Sequence, residues 1–207
     1  MKIFLADDHE CLRKGLVQIL ADAFPDARFG EASGAQETLD ALERERWDVL
    51  VLDIFMPGRS GLEVLHEVRR SHPGLPVLVL SSAPEEQLAI RVLKGGARGY
   101  LNKQVAAEDL VGAVRKILAG GRYVSATLAE RFAEDFGQAE GMPQDRLSDR
   151  EYEVLRQLVA GRSIQDIARE LSLSPKTIST YHTRIWEKLG VANDVELVRY
   201  ALSHGLA

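Results

Sequence analysis

Two adjacent carboxylates, Asp7-Asp8, a third at Asp53, a hydroxyl at Ser81 and an amine at Lys103 are the residues whose types suit joint chemistry. Neighbouring carboxylates repel one another and are costly away from water unless a cation, a donor or solvent meets them. Three of them suit a hard divalent cation, Mg2+ above all, which takes few protein oxygens and keeps waters. Such a cation would neutralise a phosphoryl donor and bring its phosphorus to Asp53, a carboxylate nucleophile of the kind that forms aspartyl phosphates. Lys103 would pair with the phosphoryl oxygens as a point charge, and Ser81 would donate to one of them. Taken singly, each residue also has a plain structural reading. Asp7-Asp8 would be a solvated turn capping a helix that begins near Glu10, and Asp53 a loop or cap aspartate. Ser81 would be a strand-end hydroxyl and Lys103 a solvated loop lysine.

Position decides between these readings, because each residue follows a stretch that reads as a strand. Residues 49–52, VLVL, form a short β-branched run that ends in Asp53 and is followed by the turn signals Pro57-Gly58 and Ser60-Gly61. Residues 2–6, KIFLA, run into Asp7-Asp8. Residues 77–80, again VLVL, end in Ser81-Ser82, and residues 97–101 precede Lys103. Residues 27–32 make a weaker fifth strand. Helical spacing fills the gaps at residues 13–24, 35–45, 62–70, 84–94 and 106–119, with Ser33 as an expected N-cap and Pro84 at a helix start. Strands that alternate with helices predict an α/β fold, a doubly wound five-stranded parallel sheet, over residues 1–121. Such a sheet puts all its carboxyl ends on one edge, where ligands bind. The five polar residues then converge.

Length and composition bound the rest. The chain has 207 residues, enough for one large domain or two small ones, and its 45% apolar and 28% charged residues are ordinary for globular protein. No apolar run approaches membrane-spanning length and no signal-peptide pattern opens the sequence. Cys11 is the single cysteine, so no internal disulfide can form; this fits a cytoplasmic protein, and Cys11 itself reads as a small buried residue. The net charge of −5 lies in the first part, because residues 145–207 carry nine acidic and nine basic side chains.

Residues 122–145 have the texture of a linker, with a short amphipathic helix expected at 126–136 and the polar spacer GQAEGMPQD after it. Residues 146–207 then read as small and all-helical. Ser148 and Glu151 make a capping box. Helices are expected at 163–171 and 175–189 around the turn Ser172-Leu173-Ser174, with Pro175 in the first position and Gly190 as the stop, a helix-turn-helix spacing that any small bundle can also show. The stripe Ile178, Tyr181, Ile185 and Leu189 faces inward, while Lys176, Ser179, Thr180, His182, Thr183 and Arg184 lie on the other side. Short polar groups there can reach base edges and cations can meet phosphates, so double-stranded DNA is the expected partner; a solvated helix face is the alternative. A neutral domain of this size should bind weakly and with marked salt dependence as a monomer, and two copies on adjacent half-sites would be needed.

Residues 1 to about 120 resemble the receiver domain of two-component response regulators, a flavodoxin-like fold. The resemblance is carried by Asp7-Asp8, Asp53 in D-x-x-M-P-G, Ser81, Tyr100 and Lys103. It implies phosphotransfer from a sensor histidine kinase to Asp53, a main-chain carbonyl of Phe55 completing the Mg2+ shell, and Ser81 and Tyr100 as the switch pair. Gln104 departs from the proline that often follows the lysine, which leaves the 103–104 peptide bond open between cis and trans. Bulky Phe55 and small Ala83 flank the acceptor, and slow autodephosphorylation is expected from them.

The stretch LSDREYEVLRQLVAGRSIQDIARELSLSPKTISTYHTRIWEKLGV resembles the LuxR-type DNA-binding domain. Together the halves resemble a response regulator of the NarL/FixJ family, closest in flavour to its GacA/UvrY-like members. That resemblance puts Ser179, Thr180 and Thr183 at base-facing positions and Lys176, Tyr181, Arg184 and Lys188 at phosphates, with His182 as a further phosphate contact. The last helix, 194–204, would supply a homodimer contact through Val195, Val198 and Leu202. Trp186 reads as core or domain interface. The resemblance implies a transcription factor switched by phosphorylation, in which the receiver can cover the recognition helix until release permits dimerisation on DNA, and it admits RNA polymerase as a further partner. Two rival readings stand beside it. One is a phosphohydrolase using an aspartyl phosphate, against which Phe55 occupies the place where such enzymes usually carry a second aspartate. The other is a receiver that serves only as a phosphate-independent dimerisation module.

Overall fold

A computed structural model of the chain describes residues 1–83, 85–104, 107–125, 128–129 and 143–206. The expected helix start at Pro84, most of the expected linker helix at 126–136 and most of the spacer after it lie outside the described residues. The chain divides into two compact units, Met1–Phe132 and Ala133–Ala207.

Among the described residues of the first unit, five strands alternate with five helices. They are β1 (Lys2–Ala6), α1 (Glu10–Ala23), β2 (Arg28–Ala32), α2 (Ala35–Arg44), β3 (Val49–Asp53), α3 (Gly61–Ser71), β4 (Val77–Ser81), α4 (Glu85–Lys94), β5 (Gly99–Asn102) and α5 (Ala107–Leu118). The VLVL runs of β3 and β4 are buried at every position because helices cover both faces of the sheet. β2, with the sequence RFGEA, is half exposed, as suits an edge. The sheet order is β2-β1-β3-β4-β5, all parallel. The chain winds one way from β1 to β2 and the other way from β3 onward, so the topological switch point lies between β1 and β3, where doubly wound sheets open a crevice.

Register carries the functional residues to that crevice. Ala6 pairs with Leu52, so Asp7 emerges beside Asp53. Asp53 pairs with Leu80 and Ser81 with Asn102, so Ser81 and Lys103 follow on the same edge. Lys103 N–H donates to the Ser81 carbonyl at 2.8 Å and extends this pairing one residue past β5. The outer edge of β5 is met by Tyr123, which forms a parallel bridge to Gly99.

Several local expectations are corrected. The N-cap of α2 is Gly34, because the Ser33 hydroxyl and N–H both donate to the Glu37 carboxylate instead. Cys11 is exposed on the outer side of α1 rather than buried. The last strand starts two residues later than its sequence suggests, at Gly99, after Arg98 N–H has bonded the Val77 carbonyl. The Lys103–Gln104 bond is trans, as no peptide bond among the described residues is cis.

The described part of the second unit begins with a 3-10 turn at Pro143–Arg146 and continues with α6 (Asp149–Val159), α7 (Ile164–Glu170), α8 (Pro175–Leu189) and α9 (Asp194–Ser203). The capping box at Ser148 and Glu151 forms as expected. Ser163, Ser174 and Asn193 cap the next three helices through their side chains, and Gly190, at φ 69°, ends α8 in the left-handed conformation. The turn between α7 and α8 rests on Ser172, whose φ of 54° is unusual without glycine.

Candidate functional site

The crevice at the β1/β3 switch point holds an ion-pair centre. Lys103 Nζ lies 2.7 Å from both Asp7 Oδ2 and Asp53 Oδ2. Asp7 and Asp53 are each only 2% exposed, and Ser81 is fully buried. Asp53 Oδ1 accepts the Phe55 N–H at 3.1 Å. Burial pushes the Asp53 carboxyl up to about 6; the Lys103 charge and hydrogen bond act against this, and the Asp7 charge adds to it. Burial alone would push the Lys103 ammonium down, but Asp53 and Asp7 together hold it above its ordinary value.

The loop after β3 needs Gly61. A Cβ there would lie 2.2 Å from the Asp53 carbonyl oxygen and 2.6 Å from Ile54 Cα. Only a glycine lets the start of α3 approach so closely, and Gly61 N–H seals the approach by donating to the Ile54 carbonyl at 2.9 Å. The Ser60–Glu63 capping box starts α3 there, so Asp53 is held from behind by a rigid turn.

Three carboxylates face one ammonium, which leaves two uncompensated negative charges at a largely buried edge. Two carboxylate oxygens, Asp7 Oδ2 and Asp8 Oδ1, are buried and accept no hydrogen bond of normal geometry. Their near neighbours are Lys103 Nζ and, at 2.8 Å from Asp8, His9 Nδ1. One donor atom each from Asp7, Asp8, His9 and Asp53 lie within 4.8 Å of one another. The residues therefore fit a divalent cation, whose charge would complete the balance.

The switch residues stand beside this centre. Ser81 Oγ accepts the Ala83 N–H at 3.1 Å, and the Tyr100 hydroxyl donates to the Ala83 carbonyl at 2.6 Å. Tyr100 is 1% exposed, so its ring is already turned inward in this structure. Three residues near the site escaped the sequence reading. Asn102 Nδ2 donates to the same Ala83 carbonyl at 3.0 Å. Arg13, paired with Glu31, donates to the Asp7 carbonyl at 2.5 Å. His9 N–H donates to Asp7 Oδ1 at 2.8 Å. His9 and Asn102 adjoin the residues singled out, which is a signal of sorts; nothing in the local sequence marks Arg13.

In the second unit α8 buries Ile178, Ile185 and Leu189, while Tyr181 is only half buried. Lys176, Ser179, Thr180, Thr183 and Arg184 are exposed together. The Ser179, Thr180 and Thr183 hydroxyls donate to the carbonyls of Pro175, Lys176 and Ser179 one turn back, which leaves their oxygens as outward acceptors. Lys188 and His182 are engaged differently. Lys188 Nζ donates to Glu151 Oε2 at 2.5 Å and ties α8 to α6. His182 Nε2 lies 2.6 Å from Asp194 Oδ1, and its ring packs edge-on to half-buried Trp186 with centroids 4.7 Å apart. Both therefore hold this domain together as it stands. On α9, Leu197 and Ala201 point inward, whereas Val195 and Leu202 are 73% and 66% exposed and Val198 is half buried. Among the described residues the other exposed large apolar side chain is Met1. No helix among them is long and apolar enough to cross a membrane.

Known proteins share this organisation. Residues 3–115 match the response regulator receiver domain, and residues 145–201 match the luxR family of bacterial regulatory proteins. The response regulator GacA of Pseudomonas syringae pv. syringae (strain B728a) is 36% identical over 208 residues, covering 100% of this chain and 97% of that protein. The response regulator UvrY of Escherichia coli (strain K12) is 34% identical, covering 100% and 95%. Among solved structures, RcsB from Salmonella enterica serovar Typhimurium, bound to promoter P1flhDC in the presence of phosphomimetic BeF3-, is 30% identical with a TM-score of 0.70 over 98% of each chain. The chain belongs to the NarL/FixJ family of response regulators, transcription regulators that join a receiver domain to a LuxR-type DNA-binding domain.

Proposed function

We propose that a sensor histidine kinase phosphorylates Asp53 and that this event controls dimerisation and sequence-specific DNA binding by the second domain. The observation that carries the reading is Lys103 Nζ at 2.7 Å from both Asp7 and Asp53 in a buried crevice with net negative charge. Asp53 attacks the phosphorus of a phosphohistidine. The new P–O bond forms as the P–N bond breaks, and the leaving imidazole nitrogen takes up a proton. Lys103 then moves its charge from the Asp53 carboxylate to the phosphoryl oxygens, which is a short shift for a flexible ammonium. The Ser81 hydroxyl donates to one of those oxygens. Asp7, Asp8, Asp53 and the Phe55 carbonyl would hold Mg2+, which supplies charge neutralisation for the incoming phosphoryl group. Ser81 Oγ and the Tyr100 hydroxyl both bond to Ala83, so a movement of Ser81 reaches Tyr100 and the adjoining end of α4 through one residue.

On DNA, Ser179, Thr180 and Thr183 read base edges while Lys176 and Arg184 meet phosphates. Tyr181, His182 and Lys188 join the phosphate contacts, the last two by leaving Asp194 and Glu151. Val195, Val198 and Leu202 form the contact between two copies. The chain is a phosphoacceptor and not a phosphohydrolase: Phe55 stands where the second aspartate would be needed, and a side chain that bulky also slows attack by water on phospho-Asp53. A phosphoryl half-life of seconds in the purified protein overturns that last point.

Intact-protein mass after incubation with Mg2+ and an acyl phosphate tests the reading. One added phosphoryl group on the wild type, absent from Asp53→Asn, is expected. No adduct from either the acyl phosphate or a phosphorylated kinase would refute it and favour a phosphate-independent dimerisation module.

A further inference from the structure

We infer that His9 is a nitrogen ligand of the cation pocket and biases it towards first-row transition metals over Mg2+. The inference rests on the cation-binding reading of the Asp7, Asp8 and Asp53 cluster and concerns which ion that cluster prefers.

His9 is the last residue before α1. Its backbone is extended, at φ −84° and ψ 94°, and its side chain makes no cap to the helix. Its N–H instead bonds Asp7 Oδ1 at 2.8 Å, which folds the residue back over the strand end. The ring then meets the acidic pair, with Nδ1 2.8 Å from Asp8 Oδ1 and 3.3 Å from Asp7 Oδ1. Donor atoms on one ion, at roughly 2.0–2.3 Å from it, stand about 3 Å apart when adjacent and up to about 4.6 Å apart when opposite. The four atoms from Asp7, Asp8, His9 and Asp53 lie within 4.8 Å of one another, so one ion can reach all four with small side-chain adjustments. The His9 side chain is 66% exposed and sits at the rim, where rotation costs little packing. Buried Asp7 Oδ2, 2.7 Å from Lys103 Nζ, and buried Asp8 Oδ1, 2.8 Å from His9 Nδ1, line the same pocket.

The donor set is thus mixed. Carboxylate and carbonyl oxygens alone suit Mg2+, whereas imidazole suits Ni2+, Zn2+ and their neighbours, and affinity for such a site rises along the first transition row. With His9 in the shell, the phosphoacceptor pocket loads according to which divalent ion is at hand. A bystander role for His9, donating only to carboxylates or to a bound water, would leave the ranking of ions unaffected by its removal.

Calorimetric titration of the full chain with Mg2+ and with Ni2+ separates these roles, using wild type, His9→Ala and Asp8→Asn. The expected result is a loss of about tenfold or more in Ni2+ affinity in His9→Ala with less than about threefold change for Mg2+, and a large loss for both ions in Asp8→Asn. The Asp8 variant also identifies any nickel held by the other four histidines. Pulsed EPR of the Mn2+-loaded protein gives a direct reading: an imidazole nitrogen coupling in the wild type that is lost in His9→Ala. Unchanged Ni2+ affinity, or a nitrogen coupling that survives in His9→Ala, overturns the role of His9 while Mg2+ binding leaves the pocket itself standing. Binding of neither ion, or binding insensitive to Asp8→Asn, overturns the pocket and the inference together.

Discussion

Replacing Asp53 by asparagine should make the first domain more stable, and by an amount that depends on pH. The Asp53 carboxyl titrates near 6 in the folded protein against 3.8 for an ordinary aspartate, chiefly because burial penalises its charged form. A carboxyl whose folded pKa is raised binds its proton more tightly in the folded state, so the contribution of Asp53 to stability is most favourable below pH 4 and falls as pH rises towards 6. Above about pH 7 the cost of ionising Asp53 in place is fully expressed, and a shift of this size corresponds to about 3 kcal/mol. Asparagine has nearly the shape of the protonated acid and avoids that cost. Its amide oxygen can still accept from Lys103, which keeps Asp7 as a partner at 2.7 Å.

The assay is urea unfolding in a chelator, because a bound cation would stabilise the wild type and hide the difference. Two units would blur a single transition, so both proteins should carry Trp186→Phe, which leaves Trp47 as the one tryptophan reporting on the first domain. The expected gain for Asp53→Asn is about 3 kcal/mol at pH 8 and about 1 kcal/mol at pH 4.5, where most of the folded wild type already carries the proton. A variant no more stable than wild type at pH 8 would refute the claim that ionised Asp53 is held at a cost. A gain equal at both pH values would assign the effect to packing.

Three further outcomes follow from particular contacts. Gly61→Ala places a Cβ 2.2 Å from the Asp53 carbonyl, so it should cost roughly 1–3 kcal/mol and slow phosphorylation of Asp53, read by thermal melting and intact mass; a neutral result would mean that the loop yields freely. Ser172→Gly relieves a non-glycine residue at φ 54° and should stabilise the second domain by about 1 kcal/mol, and a loss of stability would show that the Ser172 side chain outweighs the backbone strain. Val195→Asp with Leu202→Asp charges two exposed apolar positions of α9, so folding and phosphorylation should be unchanged while binding to a two-half-site DNA weakens to that of a single domain; cooperative binding that persists in gel-shift titrations would move the dimer contact elsewhere.

Much of this protein is legible residue by residue, because local pattern specifies local structure. The doubly buried VLVL runs of β3 and β4 announce a parallel sheet, Pro175 and Gly190 bracket α8, and Ser148 with Glu151 starts α6. Asp7, Asp8, Asp53, Ser81 and Lys103 can be placed at strand ends from the same patterns. Which ends are neighbours is another matter, since strand order follows from long-range pairing that no local period encodes. Only the order β2-β1-β3-β4-β5, with Ala6 against Leu52, sets Asp7 beside Asp53 and brings Lys103, fifty residues on, to 2.7 Å from both. Tertiary packing likewise decided that Tyr100 lies inward on Ala83, that Arg13 supports the Asp7 backbone, that Lys188 is held by Glu151, and that His9 folds over the acidic pair. Each of these depends on what a side chain meets across the fold. The residue types capable of the chemistry are therefore set by sequence, and their distances and charge balance by the pairing of distant strands and helices.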